Sequence, residues 1–259
     1  MTTPVTTPDL LAVVHDPPLV NPSPQGLYAA TTWHEETGAL RWLANGVRFR
    51  PRNYGGETAF GIWGAGWCED PDPSQVKEGT RPDEADPFDP ITAWAYDDCD
   101  LTQGSRAEVR ERVQQTFRLV EQTAVEREFA AQLLADAPAG PTSDLIAAVA
   151  HLEAQLAKTN TVGFIHASAQ AAALAQHEGL IVRTGGGLKT PLGHTWVFGG
   201  GYVDGLGATL VATSPTEGWR SDVEVREAVA HEINRFIAVA ERHVVVGYEK
   251  AIARATIGA

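Results

Sequence analysis

An α+β fold is what the 259-residue sequence predicts, and three observations predict it. The first third is rich in Pro and Gly and sustains no helical period. One long apolar repeat at helical spacing follows Ser105, and short helix-like and strand-like pieces alternate from Thr142 onward.

Composition sets the bounds. Apolar residues make up 43% of the chain and charged ones 20%, as in globular proteins. Acidic residues outnumber basic ones 33 to 20, a formal net charge of -13. That balance opposes tight, sequence-independent binding to nucleic acid, which needs clustered Lys and Arg. Met1 to Leu11 lacks the charged and apolar regions of a signal peptide, so synthesis in the cytoplasm is expected. No apolar run approaches the roughly 20 residues of a spanning helix, so no membrane partner is expected. Cys68 and Cys99 are the two cysteines, and packed, reduced thiols are the expectation over a Cys68–Cys99 bridge.

From Met1 to Asp100 the chain carries five of its seven Trp: Trp33, Trp42, Trp63, Trp67 and Trp94. Large aromatics supply burial energy, yet Pro51 and Gly55, Gly56, Gly61, Gly64 and Gly66 leave few regular elements to close around them. Gly46–Arg50 reads as a short strand. Either this segment drapes over its own domain, or it anchors on a neighbouring subunit. Charge is segregated within it. Arg41, Arg48, Arg50 and Arg52 precede an acidic run through Glu69, Asp70, Asp72, Glu78, Asp83, Glu84, Asp86 and Asp89, relieved only by Lys77 and Arg81. A solvated loop explains that run; pairing of basic against acidic stretches between subunits is the sharper account.

Ser105 to Glu108 has the pattern of a capping box. Val109, Val113, Phe117, Val120 and Ala124 then repeat at helical spacing, continued by Phe129 and Leu133 until Pro138, Gly140 and Pro141 break the pattern. About 30 residues give a helix on the order of 45 Å, long enough to cross a large body. Leu145–Ala157 and Ser168–Gln176 read as further helices, the second with Ser168 as its cap. Leu180–Arg183, Thr195–Phe198 and Ala208–Thr213 read as strands, and β-like runs fill Asn234 to Ile257.

Catalytic motifs are broken wherever they begin. His231 and Glu232 open like a zinc-protease motif, but Asn234 and Arg235 follow where a second His is required. A metal-dependent hydrolase using His231 and Glu232 is therefore the rival from another class. Gly187, Leu188, Lys189 and Thr190 resemble the end of a phosphate loop, with Leu188 in place of its Gly and Pro191 in place of a helix start. Gly199–Gly205 leads into strand, which disfavours a dinucleotide site. Asp70, Asp72 and Ser74 mimic a calcium loop, but Gln75 replaces its Gly. His166 near Ser168 lacks a nucleophile elbow. No catalytic residue, metal or cofactor is expected.

One resemblance gathers these parts. Glu232 to Val246, with Asn234, then Ala240, Glu241 and Arg242, then a Val-rich strand, is similar to the C-terminal strands of tailed-phage major capsid proteins. Thr190–Gly193, Gly199–Asp204 and Ala212–Pro215 resemble the middle of capsid proteins from phages that infect actinobacteria. The resemblance implies the fold shared by tailed phages, encapsulins and herpesviruses. Its parts would be an N-terminal arm (1–45), an extended β-hairpin loop (46–90), a peripheral domain with a spine helix (91–141), an axial α/β domain (142–231) and C-terminal strands (232–259). It implies hexamers and pentamers in an icosahedral shell around phage DNA, assembled in the host cytoplasm. Scaffolding, portal and decoration proteins would be partners, and contact with packaged DNA would be weak and non-specific. Trp33, Trp42, Arg48, Arg50, Arg52, Trp63, Trp67 and Lys77 become the candidate contacts between subunits. Some members cross-link a loop lysine to a neighbour's asparagine, which matches Lys77 and Asn234. An encapsulin-like shell around enzyme cargo is the closest rival; those shells typically begin with an amphipathic helix, whereas Met1–Gly26 is Pro-rich.

Overall fold

Two mixed β-sheets share the chain, and one 34-residue helix runs along both. The computed structural model describes residues 13–36, 38–64, 66–70, 72 and 76–258, so the first part of the expected arm and most of the Asp70–Gln75 stretch lie outside the described residues.

In the first third the regular pieces are short: α1 (Leu27–Ala30), β1 (Thr32–His34), α2 (Arg41–Asn45) and a 3-10 turn at Gly56–Ala59. The expected strand at Gly46–Arg50 is absent. Instead Val47 and Phe88 form one isolated antiparallel bridge, exchanging N–H···O bonds of 2.9 and 2.8 Å. Gly46 at φ 66° and Pro51 bracket a segment too short to extend a ladder. Among the described residues the two legs of the expected hairpin meet at this bridge and again at Thr58, whose hydroxyl donates to the Thr80 carbonyl at 3.1 Å, without forming a strand ladder. β2 (Ile91–Cys99) follows, alternating exposed and buried side chains.

α3 (Gln103–Asp136) starts earlier than the capping-box pattern predicts. Thr102, extended at ψ 154°, is the cap and accepts from the Ser105 amide at 3.3 Å. The Asp100 carboxylate receives the Thr102 amide at 2.9 Å and bends the chain into the helix, leaving Ser105 and Glu108 inside it. At 1.5 Å per residue the helix is about 51 Å long. Its buried row is Val109, Val113, Phe117, Glu121, Val125, Phe129 and Leu133, every fourth residue. Val120, expected in that row, is 53% exposed, and Glu121 takes its place.

The rest of the chain builds the sheets. β3 (Thr142–Ser143) leads to α4 (Leu145–Lys158), capped by Asp144, then β4 (Phe164–Ser168) and α5 (Ala171–His177). The helix expected at Ser168–Gln176 is therefore split. Ser168 ends a buried strand, and its hydroxyl accepts from the Gln170 amide at 3.2 Å just before the helix. β5 (Val182–Thr184), β6 (Gly187–Lys189), β7 (Thr195–Gly199), α6 (Tyr202–Gly205), β8 (Thr209–Thr213), β9 (Thr216–Arg220) and β10 (Glu224–Ala230) come next. A 3-10 turn at His231–Ile233 precedes β11 (Arg235–Tyr248) and β12 (Ala251–Ile257).

The second sheet has the order β3-β12-β8-β4-β7-β6-β5 and is packed by α4 through Leu145, Val149, Leu152 and Leu156. The first sheet centres on β11. Val244 pairs with Ile91 of β2 and with Arg220 of β9, so β2 lies on one side and β9 with β10 on the other. The block expected at 142–231 is accordingly divided: β9 and β10 belong to the first sheet because the long β11 recruits them as partners. The N-terminal half of α3 packs on Ala93, Ala95, Ala238 and Ala240, whose small side chains let a helix lie close. Its C-terminal half, with Val125, Phe129 and Leu133, joins the cluster between the sheets.

Candidate assembly surfaces and their anchors

α3 reads the preceding segment through polar residues at helical spacing. Gln115 and Arg118 donate to the Val20 carbonyl at 2.8 and 2.6 Å, and Gln122 donates to that of Gln25 at 2.8 Å. Glu126, 0% exposed, accepts from the Leu27 amide and from the Gly201 amide, each at 2.9 Å. Burial raises the Glu126 pKa against the opposing pull of those amide donors. Gly201 is required here: an added Cβ would stand 2.1 Å from the Thr123 carbonyl oxygen. Five residues earlier on α3, Glu121 accepts from the Tyr28 hydroxyl at 2.9 Å and pairs with Arg242. Burial and the Glu121 carboxylate push the Tyr28 phenol pKa up.

Two of the aromatics expected at subunit contacts are turned inward. Trp42 is 4% exposed and lies in the cluster between the sheets, because α2 folds it under the loop base. Trp33 is half-buried, donates its indole N–H to the Tyr28 carbonyl at 3.1 Å and is covered by Arg220 at 4.5 Å. Both make packing contacts within this chain.

The loop behaves otherwise. Phe60, Ile62 and Trp67 are 80%, 91% and 96% exposed, and Trp63 is 41% exposed with Lys77 stacked on its ring at 4.7 Å. Burying such surface is favourable, and nothing in this chain covers it among the described contacts. Of the expected basic contacts, Arg48 approaches Glu84 of the same chain at 3.9 Å, both partly exposed. The Arg52 amide donates to Glu249, while Arg50 is exposed. Asn234, the expected partner of Lys77, sits at φ 52° in the turn before β11.

A second uncovered surface lies on the first sheet, opposite α3. Trp94 and Tyr96 are 68% and 48% exposed, and Tyr96 stands across from Val239 in the β2–β11 register. Ion pairs flank it: Arg226 with Glu241 at 2.9 Å and Arg235 with Asp98 at 3.4 Å.

The catalytic candidates do not assemble into a site. His231 and Glu232 lie in an exposed turn, and among the described residues no group of three His, Cys, Asp or Glu could hold a metal. His166 is buried between the Tyr202 hydroxyl and Thr213 Oγ1, each 3.0 Å away, and burial lowers its pKa to about 3. Cys68 is exposed, Cys99 half-buried, and both are free.

Glu121, Glu126 and Glu249 anchor this architecture, and sequence reasoning missed all of them. Glu121 had a legible signal: it completes the four-residue spacing of Val109, Val113 and Phe117. For Glu126 and Glu249 the partners come from backbone amides remote in sequence, which no spacing pattern marks.

No family model and no curated protein sequence matches the chain. Solved structures do. The capsid of a native GTA particle covers 99% of this chain and 94% of its own at 10% identity, with a TM-score of 0.56. The capsid of an empty GTA particle covers the same shares at 12% identity and a TM-score of 0.51. A structure from Mycobacterium phage Che8 covers 98% of both chains at 14% identity, also with a TM-score of 0.51. The chain has the tailed-phage capsid fold.

Proposed function

We propose that the chain is the major capsid protein of a tailed phage, a structural subunit whose hexamers and pentamers form an icosahedral head around DNA. The observation that carries this reading is the full-length likeness to the capsid of a native GTA particle, over 99% of the chain. Residues up to Asn45 act as the arm, 46–90 as the loop reaching a neighbour, β2 with α3 as the peripheral domain and the second sheet as the axial domain. The exposed Phe60, Ile62, Trp63 and Trp67 supply the apolar contact, and Arg48, Arg50 and Arg52 meet acidic residues of an adjacent copy.

Two different uncovered surfaces on one chain, the loop and the Trp94–Tyr96 face, suit head-to-tail contacts, which close into rings. The net charge of -13 suits a container that must release its genome. Catalysis forms no part of this role. Scaffolding, portal and decoration proteins are the further partners, and the virion is the site of action. No helix among the described residues is long and apolar enough to cross a membrane.

Light scattering coupled to size-exclusion chromatography tests the reading. A mass in the megadalton range supports it; a folded protein that remains monomeric at every concentration and salt tried, both alone and when co-expressed with its candidate scaffolding partner, contradicts it.

A further inference from the structure

The base of the loop is tied down by a side chain far away in sequence. Glu249 Oε1 accepts from the backbone amides of Arg52 and Asn53, the latter at 2.5 Å, and Oε2 accepts from the Asn53 side-chain amide at 2.7 Å. The Tyr54 amide adds a further donor. Consecutive amides aimed at one carboxylate form an anion cradle. Burial would raise the Glu249 pKa, but the Asn53, Arg52 and Tyr54 donors outweigh it and lower it, so the group is ionised near neutrality.

The location gives this cradle its consequence. Glu249 lies between β11 and β12, where the chain passes from one sheet to the other. Its own amide and that of Lys250 donate to Ser214 Oγ at 2.9 and 3.2 Å, and Ser214 lies between β8 and β9, where the chain makes the same passage. Both crossings and the loop base therefore meet at one residue. Beyond it, Tyr54 is 8% exposed and its hydroxyl stands 3.0 Å from Thr161 Oγ1, after which Gly55 at φ 81° opens the free part of the loop. A small rotation at 52–54 would redirect the leg that carries Phe60, Ile62 and Trp63.

We infer that Glu249 is a positioning residue for assembly: it fixes the direction of the 55–86 loop relative to both sheets, so that the loop's aromatic surface meets a neighbouring copy. This rests on the shell reading. The Arg52 and Asn53 side of the contact is exposed, so its loss should leave the cores intact.

The experiment compares wild type, Glu249→Gln and Glu178→Gln. The last removes an equal charge from an exposed acid at the end of α5 without touching the cradle or the loop. Hydrogen exchange of peptides covering 50–56 is measured on dissociated subunits, and particles are scored by negative-stain microscopy. In Glu249→Gln, exchange in that peptide should rise roughly tenfold, as expected for losing hydrogen bonds to a charged group. Peptides of α3 should be unchanged, and regular shells should be lost. Glu178→Gln should match wild type in both measurements. Unchanged exchange in Glu249→Gln overturns the anchor, and faster exchange with normal shells overturns its role in assembly. If wild type forms no shell either alone or with its candidate scaffolding partner, the shell reading fails while the exchange result still decides the anchor.

Discussion

The carboxylate of Glu121 lies 3.3 Å from the guanidinium of Arg242, inside the otherwise apolar row by which α3 packs against the first sheet. Arg242 also covers the Phe117 ring at 6.0 Å, and the Tyr28 hydroxyl donates to the same carboxylate oxygen. α3, β11 and α1 thus share one partly desolvated charge pair.

Removing one partner strands the other. Glu121→Ala and Arg242→Ala are each expected to destabilise the subunit by about 3–5 kcal/mol. The double change Glu121→Leu with Arg242→Met should cost less than either, because no charge remains unpaired. Urea unfolding of dissociated subunits checks the order. Tyr28→Phe should cost only about 1 kcal/mol.

His166 makes stability depend on pH in a stated direction. Its folded pKa is about 3 against an ordinary 6.5, so the unfolded chain binds the proton first as pH falls. The contribution is complete above the ordinary value and is lost progressively as pH falls from there toward the folded value of about 3, at about 1.4 kcal/mol per unit. Urea midpoints between pH 7 and pH 5 should fall more steeply for wild type than for His166→Gln. Equal slopes would show that His166 is not buried as a neutral ring.

How far the sequence was legible follows from which forces act locally. The α3 helix and α4 were readable because their buried residues recur every three or four positions, as Val109, Val113 and Phe117 or Leu145, Val149 and Leu152 do. β9 and β10 were not, because their place depends on the length of β11, which offers them a long free side. Trp42 and Trp67 look alike in sequence, since both lie in the Gly-containing first third of the chain without a sustained helical period. What separates them is α2, which turns Trp42 into the core, while Trp67 has only loop around it. The resemblance in Glu232 to Val246 made the shell fold legible, whereas the Glu126 and Glu249 anchors depend on amides contributed by distant turns.

Close approach at Gly201 should show in a single methyl group. Gly201→Ala places a Cβ 2.7 Å from that of Glu126 as well as against the Thr123 carbonyl, pushing α6 away from α3. A loss of about 1–3 kcal/mol is expected. The Gly200→Ala control, whose nearest atom would be Thr123 Oγ1 at 3.6 Å, should be milder. Thermal unfolding of the two variants makes the comparison.

Reversing Arg48, Arg50 and Arg52 to Glu should leave the subunit folded, since all three side chains are at least partly exposed and the Arg52 contact to Glu249 uses the backbone. Shell formation should be lost through repulsion from the acidic run. Circular dichroism and particle counts report the two halves; normal particles would remove charge pairing between subunits from the account.

The central claim is that this chain closes into a shell. Negative-stain microscopy of the protein expressed alone and with its candidate scaffolding partner tests it most directly. The account predicts hollow, closed particles of uniform diameter in at least one of the two. Folded protein that yields only monomers or open aggregates in both would contradict it.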